Sequence, residues 1–268
     1  MKVKYLLYVL CSFFINSVVL AKIPKGTTIR ICGDGAEWPP YHFFKRSGDK
    51  VTKNVIGYSI DVIDTILKHE GLKTDYSLPP WARCLKDTKA GSYQIALDSS
   101  FNAERDKIYL YTDSHYIIHP ALFYDTNTFP KGVNPQNSLA DVLKIGNVCG
   151  LHGYNYEGMS DEIKNEMINQ EAKTYGSLVK MVKSSRCKFM IARKEAFRGF
   201  REIGQDFFKD NRLRETPLPN GAEDPFHLLI SKKYPHADAL RTMINQGLKR
   251  IRKTGEIKKI HKKWLPDA

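Results

Sequence analysis

Long hydrophobic runs are nearly absent from this sequence. After residue 21, no apolar segment reaches the roughly 20 residues that a membrane-spanning helix needs, so a multi-span membrane protein is not expected. The chain has no low-complexity segment and no short-period repeat, which argues against a disordered or solenoid architecture. Acidic residues number 29 against 42 Lys and Arg, which gives a formal net charge of +13. Basic and aromatic residues nevertheless do not cluster on one element, so nucleic acid is not an expected partner.

The longest apolar run of the sequence lies near the amino terminus. Two lysines precede an apolar stretch over residues 5–20, and the stretch ends in Val19-Leu20-Ala21, where small or modest residues suit a signal peptidase. This pattern predicts a secretory signal peptide over residues 1–21, with a membrane anchor as the alternative. Polar residues interrupt the run, which favours cleavage. We therefore expect a mature protein that lies in the periplasm.

Cysteine is also scarce. Besides Cys11 in the amino-terminal run, the chain holds Cys32, Cys84, Cys149 and Cys187. Their spacings do not resemble a zinc site, because no two are close and no histidine pair is suitably spaced. An even number in an exported chain favours disulfides, and four cysteines allow three pairings. Four buried free thiols are the alternative.

Strand and helix patterns alternate along the first half of the mature chain. Residues 28–32, 73–78 and 93–97 are typical of short strands, whereas residues 58–71 and 82–91 are typical of helices that end in glycine. This βαβαβ order predicts a largely parallel sheet covered by helices.

The second half repeats the scheme, and a carboxy-terminal group follows it. Its predicted helices are residues 139–144, 160–169, 177–185, 194–200, 236–255 and 256–264, and its predicted strands are residues 145–151, 188–192 and 226–233. Residues 231–268 hold eleven Lys or Arg and three acids. The basic residues fall between apolar residues that recur at helical spacing, which is typical of a helix with one buried face and one solvated, charged face. Two α/β units are therefore predicted, and pairing within each unit would join Cys32 with Cys84 and Cys149 with Cys187.

Polar and aromatic residues follow three predicted strands where each strand ends. They are EWPPYHF at 37–43, PPWARC at 79–84 and SSFNAER at 99–105. In parallel α/β sheets, ligands bind outside the carboxyl ends of the strands. We therefore expect these three segments to line a ligand cleft.

Four segments resemble the bacterial extracellular solute-binding proteins of family three. They are EWPPYHF at 37–43, GYSIDVIDTILK at 57–68, GSYQIALDSSFNAERDKIYLYTDSHY at 91–116 and LLISKKYPHADALRTMINQGLKRIRKTGEIKKIHKKW at 228–264. Those proteins are the periplasmic receptors of amino-acid ABC importers. The resemblance covers essentially the whole mature chain. It implies an α/β fold of the two-lobe periplasmic-binding-protein type II, in which each lobe is a mostly parallel sheet flanked by helices.

The resemblance also implies how the chain divides. Lobe I would comprise residues 22–118 and 224–268, and lobe II would comprise residues 119–223. Two hinge segments, near residues 116–123 and 219–226, would join the lobes, which close on a ligand between them.

In the family, a hydroxyl and an arginine after the third strand bind the ligand carboxylate. The matching residues here are Ser100 and Arg105, and Ser99 lies one residue earlier. A guanidinium suits this task because its fork of donors pairs with both oxygens of a planar carboxylate. The alternative is that Arg105 is a surface residue paired with Glu104 or Asp106.

Two further sets complete the predicted ligand-binding residues. Aromatic side chains in strand-end loops would form walls of the cleft, with core packing as the alternative, and they are Trp38, Tyr41 and Trp81. A loop before a predicted helix would present free N–H groups to the cleft, and its residues are Gly153, Tyr154 and Asn155.

One position departs from the family pattern. Members that bind α-amino acids usually carry an acid after the last strand of lobe II, where it pairs with the ligand ammonium, but Arg193 stands there in this chain. A cation at that place would repel an ammonium. The resemblance then leaves two alternatives: Glu195 substitutes for the acid, or the ligand is an anionic solute such as a dicarboxylate. Arg193 is included among the predicted ligand-binding residues.

The resemblance implies a monomeric periplasmic receptor that captures a small polar or carboxylated solute and delivers it to the membrane permease of an ABC importer. Such a receptor needs no covalent chemistry and no cofactor. One alternative is a cyclohexadienyl-type dehydratase on the same scaffold, which would need a general acid in the cleft. The other is a stand-alone sensory module that signals when the lobes close.

Overall fold

The computed structural model describes residues 22–48, 50–133 and 138–265. The predicted signal peptide, residues 1–21, lies outside these ranges. Within them, no helix combines the length and apolarity that crossing a bilayer requires.

Strands of three to eight residues alternate with helices along the described chain. The strands are β1 (Thr28–Cys32), β2 (Phe43–Ser47), β3 (Lys50–Ile56), β4 (Lys73–Ser77), β5 (Ile95–Ser100), β6 (Tyr109–Tyr111), β7 (Tyr116–Ile118), β8 (Pro120–Asp125), β9 (Val148–Leu151), β10 (Asn169–Ala172), β11 (Phe189–Arg193), β12 (Leu213–Pro217) and β13 (Asp224–Ser231). The helices are α1 (Tyr58–His69), α2 (Trp81–Ala90), α3 (Ala103–Ile108), α4 (Leu139–Ile145), α5 (Tyr175–Lys183), α6 (Lys194–Gly199), α7 (Ala237–Thr254) and α8 (Glu256–Trp264).

Two mixed sheets form the framework. The first has the order β4-β1-β5-β13-β6, and β7 also pairs with β13. The second has the order β10-β9-β11-β8-β12. In the first sheet β1 is parallel to β4 and β5, and in the second β9 is parallel to β10 and β11. The predicted two-lobe α/β fold is therefore confirmed. The sheets are mixed and not mostly parallel, because β13 pairs antiparallel in the first sheet and β8 pairs antiparallel in the second.

The chain changes sheets twice. β7 pairs with β13 in the first sheet, whereas β8, which follows after one residue, pairs with β11 and β12 in the second. The chain returns between β12 and β13, so the last strand and the carboxy-terminal helices pack with the first sheet.

The long helix α7 packs against α1 and closes the core of the first lobe. Its apolar stripe is buried, because Leu240, Ile244, Leu248 and Ile251 each have at most 1% of their surface exposed. A Cβ placed on Gly247 would lie 2.4 Å from the Ile66 side chain, so the two helices approach too closely for a larger residue there. This packing explains why apolar spacing predicted the helix correctly.

Two sequence predictions about local structure differ from the fold. The helix predicted over residues 160–169 is wrong, because this stretch forms turns, a short 3-10 helix at Asn165–Met167 and the start of β10. Asn165 accepts the Tyr156 N–H through its side chain, at 2.8 Å, and side-chain bonds of this kind compete with helix formation. The β2–β3 hairpin was not predicted, since few of its residues are buried and no alternation marks it.

Both predicted disulfides are present, one in each lobe. Cys32 is bonded to Cys84, and Cys149 is bonded to Cys187. Neither bond joins the two lobes, so each stabilises its own lobe, and neither restrains the two chain crossings between them.

Candidate functional site

A small cavity lies where the carboxyl ends of strands in the two sheets face each other. Its volume is about 30 Å³, which is room for only a few waters. Residues from both sheets line it, and they are Asp34, Trp38, His42, Trp81, Leu97, Asp98, Ser99, Ser100, Arg105, Tyr154, Asn155, Arg193 and Phe226. Because the cavity is too small for an amino acid, a solute could enter only if the two sides moved apart.

Arg105 lies on α3, and its half-buried guanidinium faces this cavity. Its Nη1 donates to Ser99 Oγ at 3.1 Å, and its Nη2 donates to the Gly153 carbonyl at 3.2 Å. The guanidinium carbon also lies 5.7 Å from the centre of the Trp81 ring. Burial lowers the pKa of Arg105, and the nearby Arg193 acts in the same direction. No carboxylate of the described residues forms an ion pair with this cation.

The loop of the second lobe reaches across the cavity through Asn155. Its Nδ2 lies 3.2 Å from Ser100 Oγ and 2.9 Å from the Phe101 carbonyl. Its Oδ1 accepts from Asn102 Nδ2 at 3.2 Å. The loop does not precede a helix, so the prediction of free helical N–H groups at residues 153–155 is wrong. Side chains and the Gly153 carbonyl make the contacts instead.

Arg193 differs from Arg105 although it lines the same cavity. It is 3% exposed, and its Nη2 and Nε lie 2.6 and 2.8 Å from Asp224 Oδ2. Its Nη2 also donates to the Asn155 carbonyl at 2.9 Å, and its guanidinium stacks 4.9 Å above the Phe226 ring. The Asp224 carboxylate balances this charge, which weakens the repulsion of an ammonium that the sequence analysis expected from Arg193.

Asp34 is a cavity residue that the sequence analysis missed. It follows β1 and is 7% exposed. Its Oδ1 accepts the Ala36 N–H at 2.9 Å, and its Oδ2 accepts the Tyr154 hydroxyl at 2.6 Å. Burial raises the pKa of Tyr154 well above its usual value, and the Asp34 charge adds to the effect, so the hydroxyl remains a donor. The sequence signal that could have identified Asp34 is its position between Gly33 and Gly35, directly after a predicted strand.

A second missed group is a buried network below the cavity. Asp98 accepts from His42 Nδ1 at 2.5 Å, from His115 Nε2 at 2.9 Å and from the Ser59 hydroxyl at 2.7 Å. Burial alone would raise the pKa of Asp98, but the hydrogen bonds from His115 and His42 lower it well below its usual range. His42 Nε2 in turn accepts the Asp34 N–H at 3.1 Å, which ties the network to the strand-end loop.

Comparison with known proteins identifies the family. The family model for bacterial extracellular solute-binding proteins, family 3, matches residues 29–267. The chain belongs to this family. A search of the curated proteins finds no significant match.

Solved structures of family-like proteins share the fold of this solute-binding protein. The substrate-binding protein of an amino acid ABC transporter has a TM-score of 0.69 and 18% identity, with 90% of this chain and 100% of that chain covered. A histidine kinase sensor domain has a TM-score of 0.71 and 20% identity, with 90% and 97% covered. An ancestral amino acid-binding protein, a precursor of cyclohexadienyl dehydratase, has a TM-score of 0.65 and 17% identity, with 88% and 95% covered.

Within this family-3 protein, most of the predicted ligand-binding residues line one cavity. Those that do are Trp38, Trp81, Ser99, Ser100, Arg105, Tyr154, Asn155 and Arg193. Gly153 contacts Arg105 through its carbonyl without lining the cavity. Tyr41 lies elsewhere: it is 1% exposed, stacks on Tyr116 with ring centres 3.8 Å apart, and lines a second cavity of about 350 Å³ beside the crossing strands. Glu195 also lines that second cavity, where it pairs with His119 at 2.7 Å.

Proposed function

We propose that this solute-binding protein captures a small carboxylated solute between its two lobes and passes it to an ABC importer. The observation that carries the proposal is Arg105, a half-buried guanidinium that faces the cavity with no ion-pair partner among the described residues. A guanidinium that has lost part of its hydration and has no counter-charge can gain from an incoming carboxylate, which would pair with it. Ser99 and Ser100 would hold the solute beside it.

Lobe closure is the proposed mechanism of capture. We assign residues 22–118 and 224–268 to lobe I and residues 119–223 to lobe II, since β7 and β8 belong to different sheets, as do β12 and β13. Contacts that span the cavity support closure, including Tyr154 with Asp34 and Asn155 with Ser100. A ligand can favour the closed form only through contacts that the open form lacks.

A second contact between the lobes limits how far they can close. A Cβ on Gly199, at the end of α6, would lie 2.3 Å from the Pro39 carbonyl. Trp38 beside it packs edge-on to Tyr154, with ring centres 5.6 Å apart. The strand-end loop of lobe I therefore fits against a glycine of lobe II, and this shape favours one closed position.

We place the receptor in the periplasm, exported by a cleaved signal peptide at residues 1–21, and expect a monomer that docks on a permease. The extracellular role named by the matching family and the amino acid ABC transporter neighbour support this placement. The sensor-domain neighbour supports signalling as the second candidate, in which closure is read by another protein instead of a permease.

A ligand screen tests the proposed function. Thermal-shift measurements on the mature protein would cover amino acids, dicarboxylates and polyamines, because a solute that binds only the folded state raises the melting temperature. We expect carboxylated solutes to raise it, and Arg105→Ala to abolish the shift. Arg83→Ala is the matched control, since Arg83 is an exposed arginine on α2 outside the cavity. A full shift in Arg105→Ala would contradict the assignment.

A dehydratase is the enzymatic candidate, because His42 and Asp98 line the cavity and are hydrogen-bonded to each other. Both groups are already engaged within the network, and we therefore expect no turnover. Incubation of the mature protein with prephenate or arogenate, followed by chromatography of the products, would show phenylpyruvate or phenylalanine if this expectation were wrong.

A further inference from the structure

The second cavity, which lies beside the crossing strands, is far larger than the cavity that Arg105 lines. Its volume is about 350 Å³, against about 30 Å³ for the other. Small-molecule sites in proteins usually have volumes of about 300 Å³ or more. The two cavities share no lining residue, and His119 and Glu195, which we assign to lobe II, line the second cavity together with residues of lobe I. The second cavity therefore has room for a ligand of its own.

His115 lines this cavity and has one buried ring nitrogen that makes no hydrogen bond. The residue is 2% exposed, and its Nε2 donates to the Asp98 carboxylate at 2.9 Å. With the proton on Nε2, the Nδ1 atom of the neutral imidazole is an acceptor. This nitrogen has no hydrogen-bond partner within the part of the chain that the structure describes. A buried polar atom without a partner destabilises a fold, so a donor on a bound molecule would be favourable here.

Arg252, on α7, adds a cation to the wall of the second cavity. Its Nη2 donates to the carbonyl of Ser114, the residue before His115, and it forms no ion pair with a carboxylate of the described residues. The acid that lines the cavity, Glu195, accepts the His119 backbone N–H at 2.9 Å and lies 2.7 Å from His119 Nδ1. An acid group on a ligand could therefore pair with Arg252 without displacing a carboxylate of the protein.

The remaining walls of the second cavity are mostly rings and apolar side chains. Half of the ten described residues that line it carry planar rings, and they are Tyr41, His115, Tyr116, His119 and His261. Ile117, on β7, has 48% of its surface exposed although it is apolar, and Leu265 also lines the cavity. Surfaces of this kind favour a ligand with a planar, apolar body.

We propose that the second cavity binds a small aromatic acid that carries a hydroxyl or N–H group. The carboxylate of this ligand pairs with Arg252, its ring packs on Tyr116 and Ile117, and its donor forms a hydrogen bond with His115 Nδ1. The site is separate from the solute cleft, since Arg105 and its neighbours do not line it. The inference therefore goes beyond the proposed function and does not depend on it.

Calorimetry on the mature protein tests the proposal with four probes. They are 4-hydroxybenzoate, 4-aminobenzoate, benzoate and phenol, of which benzoate lacks the donor and phenol lacks the acid. We expect 4-hydroxybenzoate or 4-aminobenzoate to bind most tightly, and benzoate and phenol to bind about tenfold more weakly, because each loses one polar contact. Arg105→Ala should bind all four probes as the wild type does, since Arg105 does not line the second cavity.

Two surface variants of the second cavity have matched controls. Arg252→Gln should weaken binding of 4-hydroxybenzoate by about tenfold and leave binding of phenol unchanged, because only the acid pairs with the guanidinium. Lys253→Gln, which removes the same charge from an exposed neighbour outside the cavity, is its control. Ile117→Glu places an anion where the ring packs and should weaken every probe, whereas Val51→Glu, at another exposed apolar residue, should not. Circular dichroism and the melting temperature establish that each variant is folded.

The outcomes separate the second site from the solute cleft. Binding of 4-hydroxybenzoate that survives Arg105→Ala and weakens in Arg252→Gln supports the second site. Binding that is lost in Arg105→Ala and normal in Arg252→Gln would place the acid in the cleft and overturn the inference. No binding of any probe would also overturn it and leave the proposed function to its own screen. Equal affinity for 4-hydroxybenzoate, 4-aminobenzoate and benzoate would overturn the hydrogen bond to His115.

Discussion

Two arginines line one cavity and have opposite relations to the protein around them. Arg105 comes from the first lobe, is half-buried, and contacts only neutral groups. Arg193 comes from the second lobe, is 3% exposed, and pairs with Asp224. Burial lowers the pKa of Arg105, whereas Asp224 raises the pKa of Arg193 despite the opposing effect of burial. An arginine in a cleft is therefore available to a ligand only when no protein carboxylate already balances it.

The largest effect should come from breaking the balanced pair. Arg193→Gln leaves Asp224, which is 5% exposed, without its counter-charge, and we expect a loss of about 4 kcal/mol in the free energy of unfolding. Urea denaturation followed by circular dichroism measures this. The double variant Arg193→Gln/Asp224→Asn removes both charges and should recover much of the loss. Equal destabilisation in both would mean that packing on Phe226, and not the ion pair, holds this arginine.

The network around Asp98 is a second example of a buried charge that the protein itself stabilises. Asp98→Asn, which tolerates the positive φ of 53° at this position, should lower the free energy of unfolding at neutral pH by about 3 kcal/mol. Because the folded-state pKa of Asp98 lies below its ordinary value of about 3.9, the stabilisation is present above that pH and is lost as the pH falls below it. The wild-type protein should therefore lose stability between pH 4 and pH 2 more steeply than the variant. Parallel pH profiles would contradict this assignment.

A smaller loss of stability should follow when the Tyr154 hydroxyl, which donates a hydrogen bond to Asp34, is removed. Tyr154→Phe deletes one hydrogen bond to a buried carboxylate and should reduce the free energy of unfolding by about 1.5 kcal/mol. The ring still packs on Trp38, so little else changes. Tyr156→Phe is the matched control for loss of a hydroxyl, because Tyr156 is also buried and its hydroxyl is hydrogen-bonded to the backbone of Leu151. An equal loss in Tyr154→Phe and Tyr156→Phe would mean that the cost is that of any buried tyrosine hydroxyl and not of the bond to the Asp34 carboxylate.

The smallest stability effect should belong to the unbalanced arginine. Arg105→Gln removes a half-exposed cation that has only neutral partners, and the free energy of unfolding should change by less than about 1 kcal/mol. The same urea titration used for Arg193→Gln measures it. A loss as large as that of Arg193→Gln would show that both arginines are structural and would remove the basis of the comparison.

Apolar periodicity predicted the fold well where helices cover a sheet, as in α1, α5 and α7, because burial of one face fixes both the period and the ends. It failed at residues 160–169, where hydrogen bonds of the Asn155 and Asn165 side chains stabilise turns. The hairpin β2–β3 gave no signal because its residues are mostly exposed.

The candidate site was predictable only in part. Strand-end position and the family pattern pointed to Ser100, Arg105 and Trp81, which do meet in one cavity. Sequence could not reveal that Asp224, distant in the chain, balances Arg193, or that Asp34 lacks a cation. Such charge balance depends on which strands the two crossings bring together, and no local pattern encodes it.

The disulfide between Cys32 and Cys84 makes the structure of the cleft sensitive to reducing conditions. It fastens the end of β1 to the helix that begins with Trp81, and these three residues share a small buried cluster. A thiol reductant would therefore loosen one wall of the cleft while leaving the crossings between the lobes untouched. Solute affinity should thus depend on the oxidation state of this bond, and the reduced protein should bind solute more weakly even when its two sheets are intact.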